Sequence, residues 1–287
     1  MATVNIREVS TPRDLSEFVE LPFRLYKNNP AWVPPLRKEV RALVDHKHNP
    51  FWEHARGTLF LAEREGRVVG RISAQVDDNY NELWGEKLGS FGFFESENDQ
   101  AIASALLDAA AAWVKREGMT VLRGPMSPSS NDEWGFLLDA FDQPPVLMMP
   151  YNPPYYLDLA ASWGLEKGKD LLAFYKNTKR PLPERMRDLA LKLKANPRIS
   201  VRHVNMKDLP HDMAIIKELY NASWQKNWGF SPMTNKEMDV LATNLKTFAD
   251  PGLVLFAFYD GKPAGLSITL PNMNEVLTHL DGKLGPI

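Results

Sequence analysis

Two neighbouring carboxylates, Asp132 and Glu133, are the clearest candidates for chemistry in this sequence. They follow Ser130 and Asn131 and precede an apolar run. A carboxylate in such a place can orient an amine or take its proton, as the general base of an acyl transfer must. The same four residues match a helix capping box, with Ser130 as the N-cap and Glu133 reaching back to it. The spacing leaves both interpretations open, with Asp132 and Glu133 as candidate catalytic residues and Asn131 as a candidate substrate contact.

Aromatic side chains gather at two further places. The run 151–156 combines three tyrosines with an asparagine and two prolines, and the run 220–230 places several large rings at a helix end and the turn beyond it. Such clusters either line a pocket or pack in a core, and the sequence does not decide between the two. The candidate substrate contacts are Tyr151, Asn152, Tyr155, Trp224 and Trp228.

Composition excludes several classes of function. The chain has no cysteine, which rules out thiol nucleophiles, disulfides and thiolate metal sites. His46, His48 and His54 lie in an irregular loop without a second pair of ligands, so we expect no metal. With 34 basic and 36 acidic residues the net charge is -2, and we expect no nucleic-acid partner. Neither a secretory leader nor a spanning apolar run is evident, which predicts a cytoplasmic protein without a membrane partner.

The segment 176–202 carries an excess of basic residues, although the net charge of the whole chain is close to zero. Nine basic residues occur between Lys176 and Arg202, against Glu184 and Asp188. The segment either steers an anion or forms a solvated amphipathic helix over 183–195.

The elements that position these residues follow from hydrophobic periodicity and from turn signals. A helix over 183–195 separates two sets of elements, and the first set alternates strands with helices. The expected elements of that first set are a strand over 3–9, helices over 12–28 and 36–44, hairpin strands over 58–63 and 68–76, a strand over 87–94, a helix over 99–116, a strand over 120–123, a short helix from Ser130, a strand over 145–149, a helix over 153–163 and a strand over 170–175.

The sequence contains an internal repeat. Leu61-Ala62, Gly66 and Gly70 reappear as Phe256-Ala257, Gly261 and Gly265, each 195 residues further along (261 − 66). Further matches at nearly the same offset predict a tandem duplication. We therefore expect a first domain over 1–178 and a second over 179–287. The second would be truncated, because the counterpart of 91–177 falls beyond Ile287.

The order of elements resembles the GCN5-related N-acetyltransferase (GNAT) superfamily. The hairpin 65–71 looks like the turn between its second and third strands, and 152–165 looks like its asparagine-to-glycine segment over the last helix. The runs 21–26, 123–126 and 149–156 are similar to uncharacterised bacterial tandem GNAT-like proteins. The resemblance implies an α/β fold with a mixed, mostly antiparallel sheet flanked by helices, in two tandem copies with the second incomplete.

The resemblance also implies acetyl-CoA as the cofactor. In that superfamily the pyrophosphate is bound by backbone amides of a glycine-containing loop that opens the helix after the fourth strand. Here that position, 95–100, has no glycine and three acids, so the signature loop is absent and acetyl-CoA binding by the first copy is disfavoured. Gly92, Phe93 and Phe94, just before it, are the candidate cofactor contacts. Many members place a tyrosine general acid four residues before the glycine of the last helix. That position is Ala160 here, which leaves nearby Tyr156 as the candidate.

The sequence thus favours an N-acyltransferase that moves an acetyl group from acetyl-CoA to a small-molecule or peptide amine. Because its first copy lacks the cofactor signature, we expect the active cofactor loop beyond Ile287. The alternative is a non-catalytic GNAT-like module that binds a ligand or partner. An unfinished second sheet would leave an open edge, which predicts a homodimer.

Overall fold

A computed structural model describes residues 3–285, without the side chains of 244–248. The chain divides into two compact units. The first unit holds the chain through Gly168, the segment Trp228–Ser231 and the chain from Asn272 onward, and the second holds Lys169–Asn227 and Pro232–Pro271. The expected division into 1–178 and 179–287 stays a prediction.

The helices and strands alternate in the order that a mixed α/β fold requires. The helices are α1 (Pro12–Leu25), α2 (Arg37–Leu43), α3 (Asp78–Trp84), α4 (Gln100–Arg116), α5 (Tyr155–Trp163), α6 (Glu184–Ala195), α7 (Leu209–Trp224), α8 (Asn235–Phe248) and α9 (Asn274–Leu277). The strands are β1 (Asn5–Glu8), β2 (Ala55–Arg64), β3 (Arg67–Asp77), β4 (Leu88–Ser96), β5 (Val121–Arg123), β6 (Met126–Ser127), β7 (Glu133–Trp134), β8 (Ile199–His203), β9 (Val254–Tyr259) and β10 (Lys262–Ile268).

The sheet of the first unit has five strands in the order β1-β2-β3-β4-β5. The first four pair antiparallel, and β5 pairs parallel with β4 over Leu88–Ser90. The β2–β3 hairpin turns at Glu65 and Gly66, whose φ angles of 52° and 72° suit a tight hairpin turn. The predicted hairpin and the mostly antiparallel sheet are therefore confirmed.

Two apolar clusters cover the two faces of this sheet. One is built around Phe18 of α1 and Leu61 of β2, and the other around Ile72 of β3 and Leu106 of α4. All four side chains are fully buried. Hydrophobic packing therefore holds each helix on its own face of the sheet.

A bulge in β4 positions the site. The β3–β4 register shifts between Arg71 and Ser73, and Phe93 opposite it has a φ of 47°. The backbone N–H of Phe93 donates to the hydroxyl of Ser127, 2.9 Å away, which ties β6 to the bulge. Gly92 lies directly against the same strand, because a Cβ there would overlap the carbonyl oxygen of Met126. The short β6–β7 hairpin is thereby fixed against the middle of the main sheet.

Three predicted elements of the first copy were wrong. No helix begins at Ser130; a turn there leads into β7, because the Asp132 carboxylate accepts hydrogen bonds from the backbone and hydroxyl of Ser129. The capping box is therefore absent, and the Ser130 hydroxyl has no hydrogen-bond partner. The run 145–149 forms no strand, since prolines at its start and just beyond it deprive a ladder of donors. The run 170–175 is exposed and forms no strand.

The second unit repeats the start of the first. Its three strands pair antiparallel in the order β10-β9-β8, and its hairpin turns at Asp260 and Gly261 with φ angles of 48° and 76°. These residues lie 195 positions after Glu65 and Gly66 (261 − 66), in the same backbone conformation. This matching turn supports the tandem copies, whereas the expected truncation of the second copy stays a prediction.

An ion pair is repeated at the same offset. Arg7 of β1 binds Glu17 of α1, and Arg202 of β8 binds Asp212 of α7 at 2.6 Å.

Within the described residues, no helix has the length and apolar content to cross a membrane.

Candidate functional site

A small pocket, partly open to solvent, lies in the first unit beside the β4 bulge. Strands β3 and β4, the β6–β7 hairpin and the run before α5 supply its walls. The lining residues are Arg71, Phe93, Phe94, Glu95, Pro125, Ser127, Glu133, Gly135, Phe136, Pro150, Tyr151 and Asn152. Three phenylalanines and three charged side chains share this lining, so the pocket offers both apolar and charged surface to a ligand.

A buried ion pair forms one wall. Arg71 Nη2 lies 3.5 Å from Glu95 Oε1, and Arg71 Nη1 donates to the carbonyl of Phe18 at 2.7 Å. The hydroxyls of Tyr26 and Tyr156 both donate to Glu95 Oε2, at 2.6 and 2.7 Å. Burial raises the pKa of Glu95 and lowers that of Arg71, and each partner opposes the shift of the other. Two hydroxyl donors and one guanidinium hold this carboxylate in one place.

Glu133 lies in the pocket wall, and the pKa of its carboxyl is shifted upward. Burial, together with the carboxylates of Asp132 and Glu95, raises the pKa of Glu133 from its ordinary 4.5 to about 7, while Arg71 opposes the rise. The residue is exposed to solvent at the open side of the pocket, although many protein atoms lie near its carboxyl, so solvent screening reduces the effect of burial on its pKa. Among the residues that the structure describes, none forms a hydrogen bond or ion pair with its carboxylate. A carboxyl with a pKa near 7 can take a proton at neutral pH and release it again.

Asp132 and Asn131 have contacts outside the pocket. Asp132 closes the turn at Ser129, with an Oγ–Oδ2 distance of 2.7 Å. Asn131 Nδ2 donates to the carbonyl of Ser231, 3.2 Å away within the same unit. Their roles as catalytic residue and substrate contact stay predictions, and the structure places both beside the pocket wall that Glu133 forms.

Tyr151 and Asn152 line the pocket, and their polar groups are held by the protein. The Tyr151 hydroxyl accepts a hydrogen bond from Asn29 Nδ2 at 2.7 Å and donates to the carbonyl of Phe141 at 2.9 Å. Asn152 Oδ1 accepts from the backbone of Leu137 at 2.6 Å. Both side chains are therefore fixed in place before any ligand arrives.

The two tyrosines of α5 lie behind the pocket wall. Tyr156 is buried, and its hydroxyl accepts from the backbone of Ser96 at 2.8 Å while donating to Glu95. The Tyr155 hydroxyl donates to the carbonyl of Ser96 at 2.9 Å. Burial raises the pKa of Tyr155 to about 12 and that of Tyr156 well above its ordinary value. Both therefore stay protonated donors at neutral pH.

The two predicted tryptophans belong to different units. Trp228 belongs to the first unit, where it stacks on Trp134 at 5.0 Å with the Arg123 guanidinium over its ring. Trp224 belongs to the second unit, where it stacks on Tyr220. Neither lines the pocket.

The GNAT resemblance places a cofactor pyrophosphate at the N-terminus of α4. In this structure the backbone amides there donate hydrogen bonds to a side chain of the protein. The Asp99 carboxylate accepts from the backbone of Ala101 at 2.8 Å and pairs with Arg64 at 2.7 Å. Glu97, two residues earlier, pairs with Arg67. A second anion at this helix end would meet occupied amides and two carboxylates, so the first unit does not fit a CoA pyrophosphate there. Of the candidate cofactor contacts, Phe93 and Phe94 line the pocket, and Gly92 packs against β6.

Sequence reasoning missed the charged floor of the pocket. The sequence places Arg71 in the predicted hairpin and Glu95 in the acidic loop before the helix over 99–116, and neither position predicts a buried ion pair. The available signal was their position inside apolar strands, next to Ile72 and Phe94, where a charged side chain needs a buried partner.

In the described part of the chain no cluster of ligands for a metal exists, and His46 stacks on Trp52.

Comparison with known proteins gives the family. Residues 24–124 match the model of the acetyltransferase (GNAT) family. The chain is 37% identical over 286 residues to the bacterial ceramide synthase of Caulobacter vibrioides (strain NA1000 / CB15N), covering 99% of this chain and 74% of that protein. It is 34% identical over 285 residues to Protein YghO of Escherichia coli (strain K12), covering 98% of this chain and 72% of that protein.

A solved structure shows the same fold. The GCN5-related glucosamine N-acetyltransferase region of a fungal multi-domain GH3 beta-N-acetylglucosaminidase has a TM-score of 0.50 and is 13% identical, covering 93% of this chain and 27% of that one. The sequence identity to the two bacterial relatives extends over nearly the whole chain. This chain is therefore a member of the GNAT superfamily, in one family with these two bacterial proteins.

Proposed function

We propose that the protein is an N-acyltransferase that acylates a primary amine, and that the pocket of the first unit binds this amine with Glu133 as the general base. The observation that carries the proposal is the position of the Glu133 carboxyl in the pocket beside the β4 bulge, together with Arg71 and Glu95. The raised pKa of Glu133, about 7, agrees with the role of a base. An ammonium ion must lose a proton before its nitrogen can attack an acyl carbonyl. Glu133 accepts that proton, so that R–NH3+ becomes R–NH2 as the carboxylate becomes a carboxylic acid.

The other pocket residues bind and orient the amine. Glu95 is held by two tyrosine donors beside Arg71, whose positive charge offsets that of Glu95. With Glu133 ionised, the three charged groups together carry one net negative charge, which attracts an ammonium group. Phe93, Phe94 and Phe136 offer apolar and aromatic surface to the rest of the substrate. A small-molecule or peptide amine with an apolar portion satisfies both sides of the pocket.

The family supports a CoA thioester, such as acetyl-CoA, as the acyl donor, which would supply the carbonyl that the amine attacks. The C–N bond forms as the C–S bond breaks, and CoA would leave as a thiolate that takes up the second proton of the amine nitrogen. Because the first unit does not fit a CoA pyrophosphate at α4, we assign no donor-binding residue there. The relative named bacterial ceramide synthase supports amide formation, since a ceramide is a long-chain amino alcohol acylated on nitrogen. This extends the proposed acceptors to amines with a long apolar chain.

The occupied end of α4 favours a second candidate, in which the first unit binds an amine without catalysing a reaction. Product analysis separates the two. The 287-residue chain is incubated with acetyl-CoA or a long-chain acyl-CoA and with an alkylamine, an amino sugar or a long-chain amino alcohol, and N-acylated product is measured by mass spectrometry.

Product formation by the wild type, with a loss of about 100-fold or more in Glu133→Gln, supports the proposed enzyme. The control is Glu82→Gln, which changes an exposed glutamate on α3 and leaves turnover unchanged. Turnover that survives in Glu133→Gln contradicts the assignment of the base. If no donor and amine pair yields product, while calorimetry shows amine binding that Glu133→Gln abolishes, the binding module is correct and the proposed enzyme is wrong.

A further inference from the structure

An exposed segment with both apolar and basic side chains links the two copies. Every residue from 166 to 195 is exposed, including several that normally lie inside a protein. Leu172 is 75% exposed, Phe174 90% and Tyr175 92%. Exposed apolar surface of this extent on a soluble protein marks an interaction site. We call residues 171–195 the junction segment.

Helix α6, in the junction segment, is amphipathic. Met186, Leu189, Ala190 and Leu193 follow the spacing i, i+3, i+4, i+7, which places them on one face of the helix. None of the residues of α6 is buried, so this apolar face is not covered by the described part of the chain.

The charges of α6 are arranged around that face. On a helical wheel, Arg185 and Lys192 flank it on one side, and Arg187 and Lys194 flank it on the other. The two acidic residues of the helix lie on the opposite side. Long basic side chains at the edges of an apolar face can extend toward phosphate groups while their methylene stems stay in apolar surroundings.

The junction segment is also strongly basic for this protein. Residues 176–195 contain seven basic and two acidic side chains, in a chain whose net charge is -2. The exposed Phe174 and Tyr175 come just before the first of these basic residues. Aromatic rings next to basic residues are typical of segments that lie at the headgroup level of a bilayer.

We propose that the junction segment binds the surface of an anionic lipid bilayer, with α6 in the plane of the interface. Its apolar face enters the boundary between headgroups and acyl chains, and the four flanking basic residues pair with lipid phosphates. An apolar protein groove would complement the face alone, whereas an anionic bilayer complements both the face and its basic edges. The sequence expectation of no membrane partner rested on the missing spanning run, which an interfacial helix does not require.

Vesicle sedimentation of the 287-residue chain tests this proposal. The wild type is expected to pellet with vesicles of equal parts phosphatidylglycerol and phosphatidylcholine, and not with phosphatidylcholine alone. Leu189→Glu/Leu193→Glu, which puts two charges on the apolar face, should weaken binding by about tenfold or more. Leu191→Glu/Ala195→Glu is the matched control, because it adds the same two charges at exposed positions on the polar side of the helix, and it should weaken binding far less.

Circular dichroism of each variant in solution establishes that it is folded. Failure of the wild type to pellet with the mixed vesicles, equal binding to phosphatidylcholine alone, or an equal loss in both variants would each overturn the proposal. A dimer in light scattering that dissociates in Leu189→Glu/Leu193→Glu, without vesicle binding by the wild type, would also overturn it and assign the face to a second copy of the chain.

Discussion

Replacing the proposed base should stabilise the fold while it removes activity. The raised pKa of Glu133 means that the folded state favours the protonated carboxyl more than the unfolded state does. Below pH 4.5 both states are protonated, and the side chain costs no stability. As the pH rises to about 7, the unfolded state loses the proton first, and folding becomes less favourable. Above pH 7 the cost is constant. Glu133→Gln keeps the shape of the side chain and removes this cost.

The size of the effect follows from the two pKa values. A rise from 4.5 to about 7 corresponds to about 3 kcal/mol, at about 1.4 kcal/mol for each pH unit. Because Glu133 keeps exposed surface, solvent screening reduces this to about 1 to 2 kcal/mol. Glu133→Gln should therefore gain about 1 to 2 kcal/mol at pH 8 and nothing at pH 4.

Urea denaturation of the wild type and the variant at pH 4 and pH 8 measures this difference. Tryptophan fluorescence reports the transition of the first unit, since Trp134 lies next to Glu133 in the chain. Glu82→Gln, on the exposed surface of α3, controls for the loss of one negative charge and should change the midpoint little at either pH. An equal or lower midpoint for Glu133→Gln at pH 8 would refute the reasoning, because it would mean that the carboxylate is not under strain in the folded state.

Three other substitutions test the parts that hold the pocket. Tyr156→Phe leaves the buried backbone N–H of Ser96 and the buried carboxylate of Glu95 each without one hydrogen-bond partner. In urea denaturation it should lower the free energy of unfolding by about 1 to 3 kcal/mol. Tyr155→Phe, at the half-buried neighbouring residue, should lower it less. Gly92→Ala should abolish folding or cost more than about 3 kcal/mol, because its Cβ overlaps a β6 carbonyl, and a soluble variant with wild-type melting would contradict this packing. Asp99→Ala should lower the melting temperature through the loss of about 1 kcal/mol of capping, and calorimetry should still detect no CoA binding at α4; a gain of binding would show that Asp99 alone blocks it.

Much of the fold could be predicted from local pattern. Alternating apolar residues and the Glu65-Gly66 turn indicated the β2–β3 hairpin, and the alanine- and leucine-rich run indicated α4. The repeat anticipated the second hairpin 195 positions later (261 − 66), because glycine at a left-handed turn position is a strong local constraint. These features depend on a few neighbouring residues and so are visible in the sequence.

The site was only partly predictable, because its chemistry depends on distant contacts. Glu133, Tyr151 and Asn152 were expected in a site and line the pocket, yet the turn that presents Glu133 had been interpreted as a helix start. The Asp132 contact to Ser129 that replaces this helix cannot be told apart from a capping box by spacing alone. Glu95 and Tyr26 lie 69 residues apart in the sequence, and no local sequence pattern indicates the hydrogen bond between them.

The dependence of acyl transfer on pH tests the central claim most directly. The rate of N-acylated product formation by the 287-residue chain is measured by mass spectrometry from pH 5 to pH 9, with the donor saturating and the amine well below saturation, so that the rate follows kcat/KM and reports the pKa of the free protein. The account predicts that the wild-type rate rises with pH and levels off with an apparent pKa near 7, and that Glu133→Gln loses this inflection together with most of the rate. A Glu133→Gln variant that keeps the wild-type rate and the same inflection would contradict the account, because another group would then be taking the proton.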